Sequence, residues 1–504
     1  MATTDTSKSR VITLLALAAI LVWTIVGYCY WRPALAVLDL QGWRQADTQT
    51  IAENLSKPGA SILYPAVAWG GNGPGFVETE LQIYTALVAG LMRAFGHGEW
   101  AGQLVSSLAI MATAMVVFFD LRRRHGWLPA VCALTAFLGT RSIVHLATSI
   151  QPDGLSLLAY AASWALFLQY RDSRKTSYLV LYSATLAFAM LVKPTAGQLG
   201  ISCALLLLLT APALFKRPSL WAAWAFPLVT VAIYLWHAHL VYVHYGNSFG
   251  LFKGGNDKVP TLAEVTSPYN LYLAARLTLV WGVGFVGSAA LLVLAVRRRF
   301  TPEIWVLLVG NTLMSVAFIR ITATMAGSHY VAPAALLGAE AIAVLVPSLV
   351  ERWTKATSQL WRFAVVAAAL VLAAQPIITA RYRLRMSEVD PGAFTVLAAA
   401  RALQPLVHPG DLVIVRAKIY DPRIFYIAHV RGWLANRDNP EVANVPDEIK
   451  KGARYLIDPV PSPTPTKLDD WLGQHARQVL PPGSPRIWDL RGAAPSSVPA
   501  AHAI

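Results

Sequence analysis

The chain has 504 residues, of which 56% are hydrophobic and 14% charged, and its formal net charge is +15 at pH 7. A soluble globular protein is closer to half apolar and a quarter charged, so this composition excludes that class. The apolar residues also come in blocks of roughly 18 to 22, the length that spans a hydrocarbon core. Because the positive charge lies in short loops between these blocks, it favours cytoplasmic loops over a nucleic-acid surface.

The first apolar block, residues 11–31, follows a basic N-terminus and is too long for the apolar region of a typical signal peptide. We therefore predict an uncleaved first span. Ten further spans are predicted at residues 100–120, 127–146, 154–170, 177–192, 197–215, 220–240, 276–296, 303–320, 328–349 and 362–380. With the N-terminus in the cytoplasm, every basic cluster falls on the cytoplasmic side, as expected for a membrane protein. The fold class is thus a mainly α, polytopic transmembrane helical bundle of about 11 spans.

Residues 81–96 are apolar but short for a crossing. Treating them as a span would place the basic run at 122–124 outside and invert every later loop. We predict an interfacial helix on the outer face, closing a long first outer loop from about 32 to 99. A short true span is the alternative.

The last part of the chain changes character, because Pro, Asp, Glu and Lys become common. Residues 412–420 and 453–459 read as strands, whereas 394–406 and 466–476 read as helices. Alternating strands and helices predict a small α/β domain. We therefore divide the chain into a transmembrane module, 1–380, and a small extramembrane α/β domain, 381–504, on the outer side. The three cysteines, Cys29, Cys132 and Cys203, lie in apolar runs and indicate neither disulfides nor a thiolate metal site.

Charged groups near a membrane are costly, so their positions are informative. On the predicted outer side they gather at the ends of spans and in the first loop: Arg44, Asp47, Glu53, Glu78, Glu80, Asp153, Lys193, Arg320, and His329 with Tyr330.

Each of these residues also has a purely structural interpretation. Asp47 and Asp153 are good helix N-caps. Lys193 and Arg320 are placed to reach lipid headgroups, and His329 more often satisfies a local hydrogen bond than it takes part in catalysis. What favours a functional site is that two acidic loops and several basic groups lie on one face, beside a large apolar bundle.

Several short segments together resemble a known family. They are WRQADTQTIAENL after the first span, ETELQIYTALVAGLMRAFG followed by EWAGQLVSSL, then QPDGLSLL, LVKPTAG and HYVAP. In this order and at these positions the chain resembles the GT-C superfamily of polyprenyl-phosphate-sugar glycosyltransferases. More narrowly, it is similar to bacterial relatives of the protein mannosyltransferases and of the lipid A aminoarabinose transferase. The resemblance covers roughly residues 10 to 350.

The resemblance implies that Asp47 and Asp153 are catalytic acidic residues of the first and second outer loops. Lys193 and His329 would lie near the donor phosphate, and we add Arg44, Arg320 and Tyr330 as further phosphate-binding candidates. Two departures matter. The aminoarabinose relatives have an arginine within a turn after the first acidic residue, where this chain has Thr50. Where they have Lys-Pro in the first loop, this chain has Val77-Glu78-Thr79-Glu80, and Glu78 becomes a candidate to assist the base.

The implied activity is transfer of a sugar from a polyprenyl-phosphate donor to an acceptor hydroxyl at the outer face of the bacterial inner membrane. Asp47 is the first choice for the general base, and one direct displacement inverts the anomeric centre. Lys or Arg stabilises the leaving phosphate, alone or with a divalent cation. Mg²⁺ or Mn²⁺ would be that cation, with Asp47 and Asp153 as candidate ligands. The expected partners are the lipid-linked donor, an acceptor glycolipid, glycan or protein, and the bilayer.

Two other functions remain as alternatives. A transporter or flippase of lipid-linked sugars would show internal repeats and ionisable residues in mid-span, whereas this sequence shows no repeat and carries its ionisable residues at span ends. A non-catalytic assembly protein would act through its C-terminal domain, residues 381–504. The sugar and the acceptor are not specified by the sequence.

Overall fold

The computed structural model describes residues 36–39, 41–250, 259–324, 327–355, 392–417, 421–436, 444–460, 466–480 and 485–492, with short runs between 359 and 379. The predicted first span, 11–31, lies outside the described residues, and the last, 362–380, is described only in part. The described residues fold as two compact units. The helical unit contains Gly102–His237 and residues within Gly250–Arg385. The mixed unit contains residues within Ala34–Ala101, Ala238–Phe249 and Met386–Ile504.

Helices account for most of the described chain. In chain order they are α1 (Gly42–Leu55), α2 (Ile83–Phe95), α3 (Glu99–His125), α4 (Trp127–Leu138), α5 (Arg141–Thr148), α6 (Asp153–Ser173), α7 (Thr176–Val192), α8 (Gln198–Thr210), α9 (Pro218–Tyr245), α10 (Leu262–Thr266), α11 (Pro268–Leu277), α12 (Phe285–Val296), α13 (Pro302–Ala317), α14 (Ile319–Thr322), α15 (Ala334–Lys355), α16 (Ala393–Leu403), α17 (Arg423–Ala428), α18 (Asn444–Lys450) and α19 (Lys467–His475). A π-helical turn, Thr278–Val283, continues α11.

Among the described residues, three helices, α3, α9 and α15, are long and apolar enough to cross a bilayer by length and composition. Two bent pairs, α4 with α5 and α11 with α12, raise the number to five if each pair is one span. The mainly helical architecture predicted from the sequence is confirmed, whereas the number of about 11 spans stays a prediction.

The two bent pairs differ from the predicted straight spans at 127–146 and 276–296. The bend between α4 and α5 is 63°, and the bend before α12 is 108°. Gly284 makes the second bend possible, because its φ is +81° and a Cβ at this position would lie 2.9 Å from the Thr140 hydroxyl. Glycine is the residue that adopts positive φ without steric cost. Hydropathy alone does not reveal such a break.

In the described residues of the helical unit, one apolar core runs through α3 to α9 and through α12, α13 and α15. Charges that enter this core are paired. The Arg124 guanidinium donates to both carboxylate oxygens of Glu340, at 2.7 and 2.5 Å, and to Asp120 at 2.7 Å. A buried charge without a partner would cost several kcal/mol, so these bonds fix α3 against α15.

In the mixed unit, β3 (Leu412–Ala417), β4 (Arg431–Asn436), β5 (Ala453–Asp458), β6 (Arg477–Gln478) and β7 (Arg486–Asp489) form one sheet, in the order β4-β3-β5-β7-β6. The strand β3 pairs in parallel with both β4 and β5, whereas β7 is antiparallel to β5 and β6. The predicted strands at 412–420 and 453–459 and helices at 394–406 and 466–476 correspond to β3, β5, α16 and α19. The small α/β region is therefore confirmed.

Both faces of this sheet are covered, as parallel strands require. On one face of the sheet, Val413 and Val415 belong to an apolar cluster that also contains residues of α16 and α17. Ile414, on the opposite face, packs with Leu468 and Leu472 of α19.

The first loop folds with this sheet in the mixed unit. Helix α2 lies within the predicted interfacial helix, 81–96, and its Arg93 donates to the carbonyl oxygens of Leu55 and Ser56, at 2.6 and 2.9 Å. These are carbonyls at the C-terminal end of α1, which have no partner within the helix. A short parallel pair, β1 (Val77–Glu78) with β2 (Asn247–Ser248), ties the same loop to the segment that follows α9.

Glu448 on α18 provides a test of the mixed unit's stability. Burial raises the pKa of this carboxyl from 4.5 to about 7. Its Oε2 has no hydrogen-bond partner among the described residues. The folded chain therefore holds this proton more tightly than the unfolded chain does. The resulting stability is fully present below the pKa of the carboxyl in the unfolded chain, and it is lost as the pH rises through the pKa of the carboxyl in the folded chain. We expect Glu448→Gln to raise the melting temperature by a few degrees at about pH 8 and to leave it unchanged at about pH 4.

The measurement is thermal unfolding of the full chain in detergent at both pH values. Asp447→Asn, at the exposed neighbouring carboxylate, is the matched control and should show no such pH dependence. An equal effect of Glu448→Gln at both pH values would contradict the assignment.

Candidate active site

Asp153 and Lys193 form a buried ion pair in the helical unit. Asp153 is the first residue of α6, and Lys193 follows the last residue of α7. Because Pro194 comes next, Lys193 is held in an extended conformation and α7 ends there. The Lys193 ammonium donates to Asp153 Oδ1, and the two side chains are only 10% and 3% exposed. Two predicted site residues, one at the start of α6 and one directly after α7, are thus in direct contact.

His329 and Tyr330 stand beside this pair. Lys193 Nζ lies 4.5 Å from the centre of the Tyr330 ring, a cation–π distance. The His329 ring is 4.5 Å from that of Tyr330. All four side chains line one cavity of about 30 Å³, which has room for one or two water molecules. An anionic ligand larger than water would have to displace side chains and compete with Asp153 for Lys193.

Tyr160 and Gln198 line the same cavity, and the sequence did not single them out. The Gln198 amide donates to the Tyr160 hydroxyl at 3.1 Å. Their signal in the sequence is weak, because Tyr160 lies among apolar residues of α6 and Gln198 is a single polar residue at the start of the apolar helix α8. Only the contact between α6 and α8 reveals that they face Asp153.

Asp47 lies in the mixed unit, in the second turn of α1. The helix begins at Gly42, with Gln41 at the N-cap position. Asp47 is therefore an interior residue, and the N-cap interpretation of this aspartate is wrong. Its side chain is almost fully buried, and Oδ1 accepts a hydrogen bond of 3.0 Å from the indole nitrogen of Trp69. Sequence reasoning missed Trp69, because only the glycine-rich loop after it, GGNGPG, marks the segment.

The acidic segment of the first loop is engaged in contacts of its own. Glu78 is fully buried and accepts a hydrogen bond from the Ser248 hydroxyl. Two residues later, Glu80 pairs with Arg44 at 3.4 Å, and both side chains are 18% exposed. Arg44, a candidate for phosphate binding, is thus held beside a carboxylate. Its role stays a prediction.

Arg320 pairs with Glu264 in the helical unit. Its Nε lies 2.8 and 2.7 Å from the two carboxylate oxygens, and both residues are about one-third exposed. Glu264 also closes a capping box with Thr261 at the start of α10, so the arginine is attached to a helix end. The role of Arg320 in phosphate binding stays a prediction.

The comparisons with known proteins agree with the predicted resemblance. Residues 83–237 match the family model described as dolichyl-phosphate-mannose-protein mannosyltransferase. The structure of ArnT from Cupriavidus metallidurans bound to undecaprenyl phosphate superposes with a TM-score of 0.62 at 14% identity, over 94% of this chain and 97% of ArnT.

A second neighbour is the Archaeoglobus fulgidus oligosaccharyltransferase tethered to an acceptor peptide. It has a TM-score of 0.53 at 14% identity, over 88% of this chain and 68% of that chain. A comparison with curated proteins finds no match. The chain has the GT-C fold. The resemblance predicted from the sequence motifs is confirmed.

Within the GT-C fold, the matched family region runs from α2 to α9. It contains Asp153 and Lys193, whereas Asp47 precedes it and His329 follows it. The buried ion pair is therefore the part of the candidate site that the family comparison covers directly.

A divalent cation has no evident cage in the described residues. There, His, Cys, Asp and Glu side chains form no group of three or more that could hold a metal ion. The oligosaccharyltransferase of A. fulgidus has been crystallised with zinc and sulfate. Participation of Mg²⁺ or Mn²⁺ through Asp47 or Asp153 stays a prediction.

The two carboxylates of the first loop should differ sharply in their structural importance. Glu78→Ala truncates a fully buried side chain and breaks its hydrogen bond with the Ser248 hydroxyl, and removing one partner of a buried hydrogen bond costs about 1–3 kcal/mol. Glu80→Ala breaks a partly exposed pair, which typically contributes about 0–1 kcal/mol. We expect Glu78→Ala to lower the melting temperature clearly more than Glu80→Ala, measured by thermal unfolding in detergent. If Glu78→Ala lowered the melting temperature no more than Glu80→Ala does, the bond between Glu78 and Ser248 would not be what holds the loop.

Proposed function

We propose that the chain is an integral-membrane glycosyltransferase that moves a sugar from a polyprenyl-phosphate donor to an acceptor hydroxyl. The GT-C fold supports this, because the neighbours that share it include ArnT in complex with undecaprenyl phosphate and an oligosaccharyltransferase with an acceptor peptide. The single observation that carries the proposal is the buried Lys193–Asp153 pair with His329 and Tyr330 around one cavity.

Lys193 is the group that we assign to the donor phosphate. A lysine ammonium is a compact cation with three donors, and in a site of low dielectric it stabilises developing negative charge strongly. Asp153 holds the ammonium in place before the phosphate arrives. His329 and Tyr330 form the opposite wall and limit where the phosphate can lie.

Asp47 is the proposed general base. The carboxylate takes the proton of the acceptor hydroxyl while that oxygen attacks the anomeric carbon. The bond from this carbon to the phosphate oxygen breaks, and its electron pair leaves with the polyprenyl phosphate. The donor is already activated, because phosphate is a good leaving group. One displacement with no covalent intermediate inverts the anomeric centre, as in inverting glycosidases.

The apolar helices provide the surroundings that a prenyl tail requires. Many large apolar side chains of α9 are exposed, for example Trp221, Phe226, Ile233 and Trp236. Such exposure is expected of a lipid-facing helix. The basic clusters at one end of the spans support a cytoplasmic N-terminus and a reaction at the outer face.

A flippase for lipid-linked sugars is the second candidate, because the bent pairs α4–α5 and α11–α12 are a feature that transporters also have. The two functions differ in acceptor dependence. A flippase would translocate a labelled lipid-linked sugar in vesicles without acceptor, whereas a transferase would consume it only when the acceptor is present.

Substitution of the two aspartates tests the transferase. We expect Asp47→Asn to lower transfer by at least about 100-fold, since a positioned general base contributes about 10²- to 10⁴-fold. We expect Asp153→Asn to lower transfer as well, since the Lys193 ammonium loses the carboxylate that holds it in place. Transfer is measured with a panel of radiolabelled undecaprenyl-phosphate sugars and membrane extracts as the source of acceptor.

Asp172→Asn, in a partly exposed pair with Arg123 and Arg171, is the control for loss of a carboxylate and should keep wild-type transfer. Correct insertion of all three variants is checked by size-exclusion chromatography. Full transfer by both site variants would refute the proposed chemistry.

A further inference from the structure

Trp69 lies where two apolar clusters of the mixed unit meet. On one side it packs against the core of the C-terminal sheet, which includes Val413 and Val415 and also the neighbouring Ala68. On the other side it packs against a cluster of the first loop that contains Ile51 of α1. The Trp69 side chain thus packs against both clusters, and its indole nitrogen bonds to Asp47 on α1.

The backbone around Trp69 is joined to the edge of that sheet. Strand β4 stands at the end of the order of the described strands, so its outer edge has N–H and C=O groups that none of those strands pairs. The loop supplies the missing partners. The Gly71 N–H donates to the Gly432 carbonyl at 2.7 Å, and the Gly432 N–H donates to the Ala68 carbonyl at 3.0 Å. The Arg431 side chain also donates to the Gly73 carbonyl.

These bonds fix the ring as well as the backbone. Trp69 lies between the two loop residues, Ala68 and Gly71, that exchange hydrogen bonds with Gly432. Its ring meets that of Phe249 edge to face at 5.9 Å. The indole N–H is then directed at Asp47 Oδ1, 3.0 Å away. A hydrogen bond to a carboxylate is charge-assisted and roughly twice as strong as one between neutral groups.

We propose that Trp69 is a positioning residue through which the C-terminal sheet holds the Asp47 carboxylate in its reactive orientation. The proposal rests on the proposed role of Asp47 as general base. It assigns the C-terminal domain a task in the reaction, because pairing with β4 keeps the loop, and therefore the indole, in place. A base that is misplaced by about 1 Å can lose about 100-fold in rate.

Trp69→Phe removes the N–H and keeps an aromatic ring between the two clusters. We expect kcat to fall about tenfold with KM nearly unchanged, since the lost bond orients the base rather than the substrate. The assay uses the undecaprenyl-phosphate sugar from the panel that the wild type transfers fastest.

A second pair of variants tests the link to the sheet without altering Trp69. Gly71 has φ +68°, and a Cβ there would lie 2.5 Å from the indole nitrogen of Trp433 on β4. Gly59, in the same loop, has φ +77° and no atom within 4 Å of such a Cβ. Alanine causes similar backbone strain at both positions, but only Gly71→Ala forces the loop away from β4. We expect Gly71→Ala to lower kcat as Trp69→Phe does, and Gly59→Ala to leave it unchanged.

A spectroscopic readout follows the contact independently of activity. With 5-fluorotryptophan in the full chain, the ¹⁹F resonance that Trp69→Phe removes is that of Trp69. We expect this resonance to shift in Asp47→Asn and in Gly71→Ala, and to stay in place in Gly59→Ala.

The positioning role would be overturned if Trp69→Phe kept the wild-type kcat, or if the Trp69 resonance did not shift in Asp47→Asn. In either case Asp47 would remain the proposed base. Retained transfer by Asp47→Asn would instead refute the proposed function. The positioning role would fall with it, although the ¹⁹F contact would persist. The two failures are thus distinguishable.

Discussion

The pairing of buried charge determines how the site in the helical unit is built. An ammonium and a carboxylate at the ends of two apolar helices are stable there only because each compensates the other. Lys193 ends α7 and Asp153 begins α6, so their bond holds the two helix ends together. In the proposed function, Lys193 is also the cation that binds the donor phosphate, and an anion that enters the cavity would replace Asp153 as its partner. In the proposed function, ligand recognition thus depends on the same interaction as the stability of the fold.

The mixed unit follows a different constraint, because its sheet has an exposed edge to satisfy. The first loop covers β4, and this arrangement explains how segments more than 350 residues apart in sequence form one compact unit. Arg93 of α2 closes the end of α1 in the same unit. Helix α1, which carries the proposed base Asp47, is therefore held by α2 and by the loop that pairs with the sheet. This provides the rigidity that a general base would need.

The sequence predicted the features that depend on local pattern. Apolar blocks and basic loops located the helices of the bundle, and the alternation of strand and helix signals located the C-terminal sheet. The pairing of Asp153 with Lys193 was not predictable as a bond, although both residues were selected, because it depends on how α6 and α7 pack. Gly284 is one glycine among 33, and only its positive φ in the folded chain shows that it breaks a span. Trp69 was missed for a similar reason, since its partners lie on α1 and near β4 and no spacing rule connects them.

The most direct test of the account is a structure of the chain bound to undecaprenyl phosphate. We predict that the phosphate enters the cavity between Lys193 and Tyr330, with a phosphate oxygen within hydrogen-bonding distance of Lys193 Nζ. The ammonium should turn from Asp153 toward the lipid. A phosphate bound elsewhere, with the Lys193–Asp153 bond intact, would contradict the central claim.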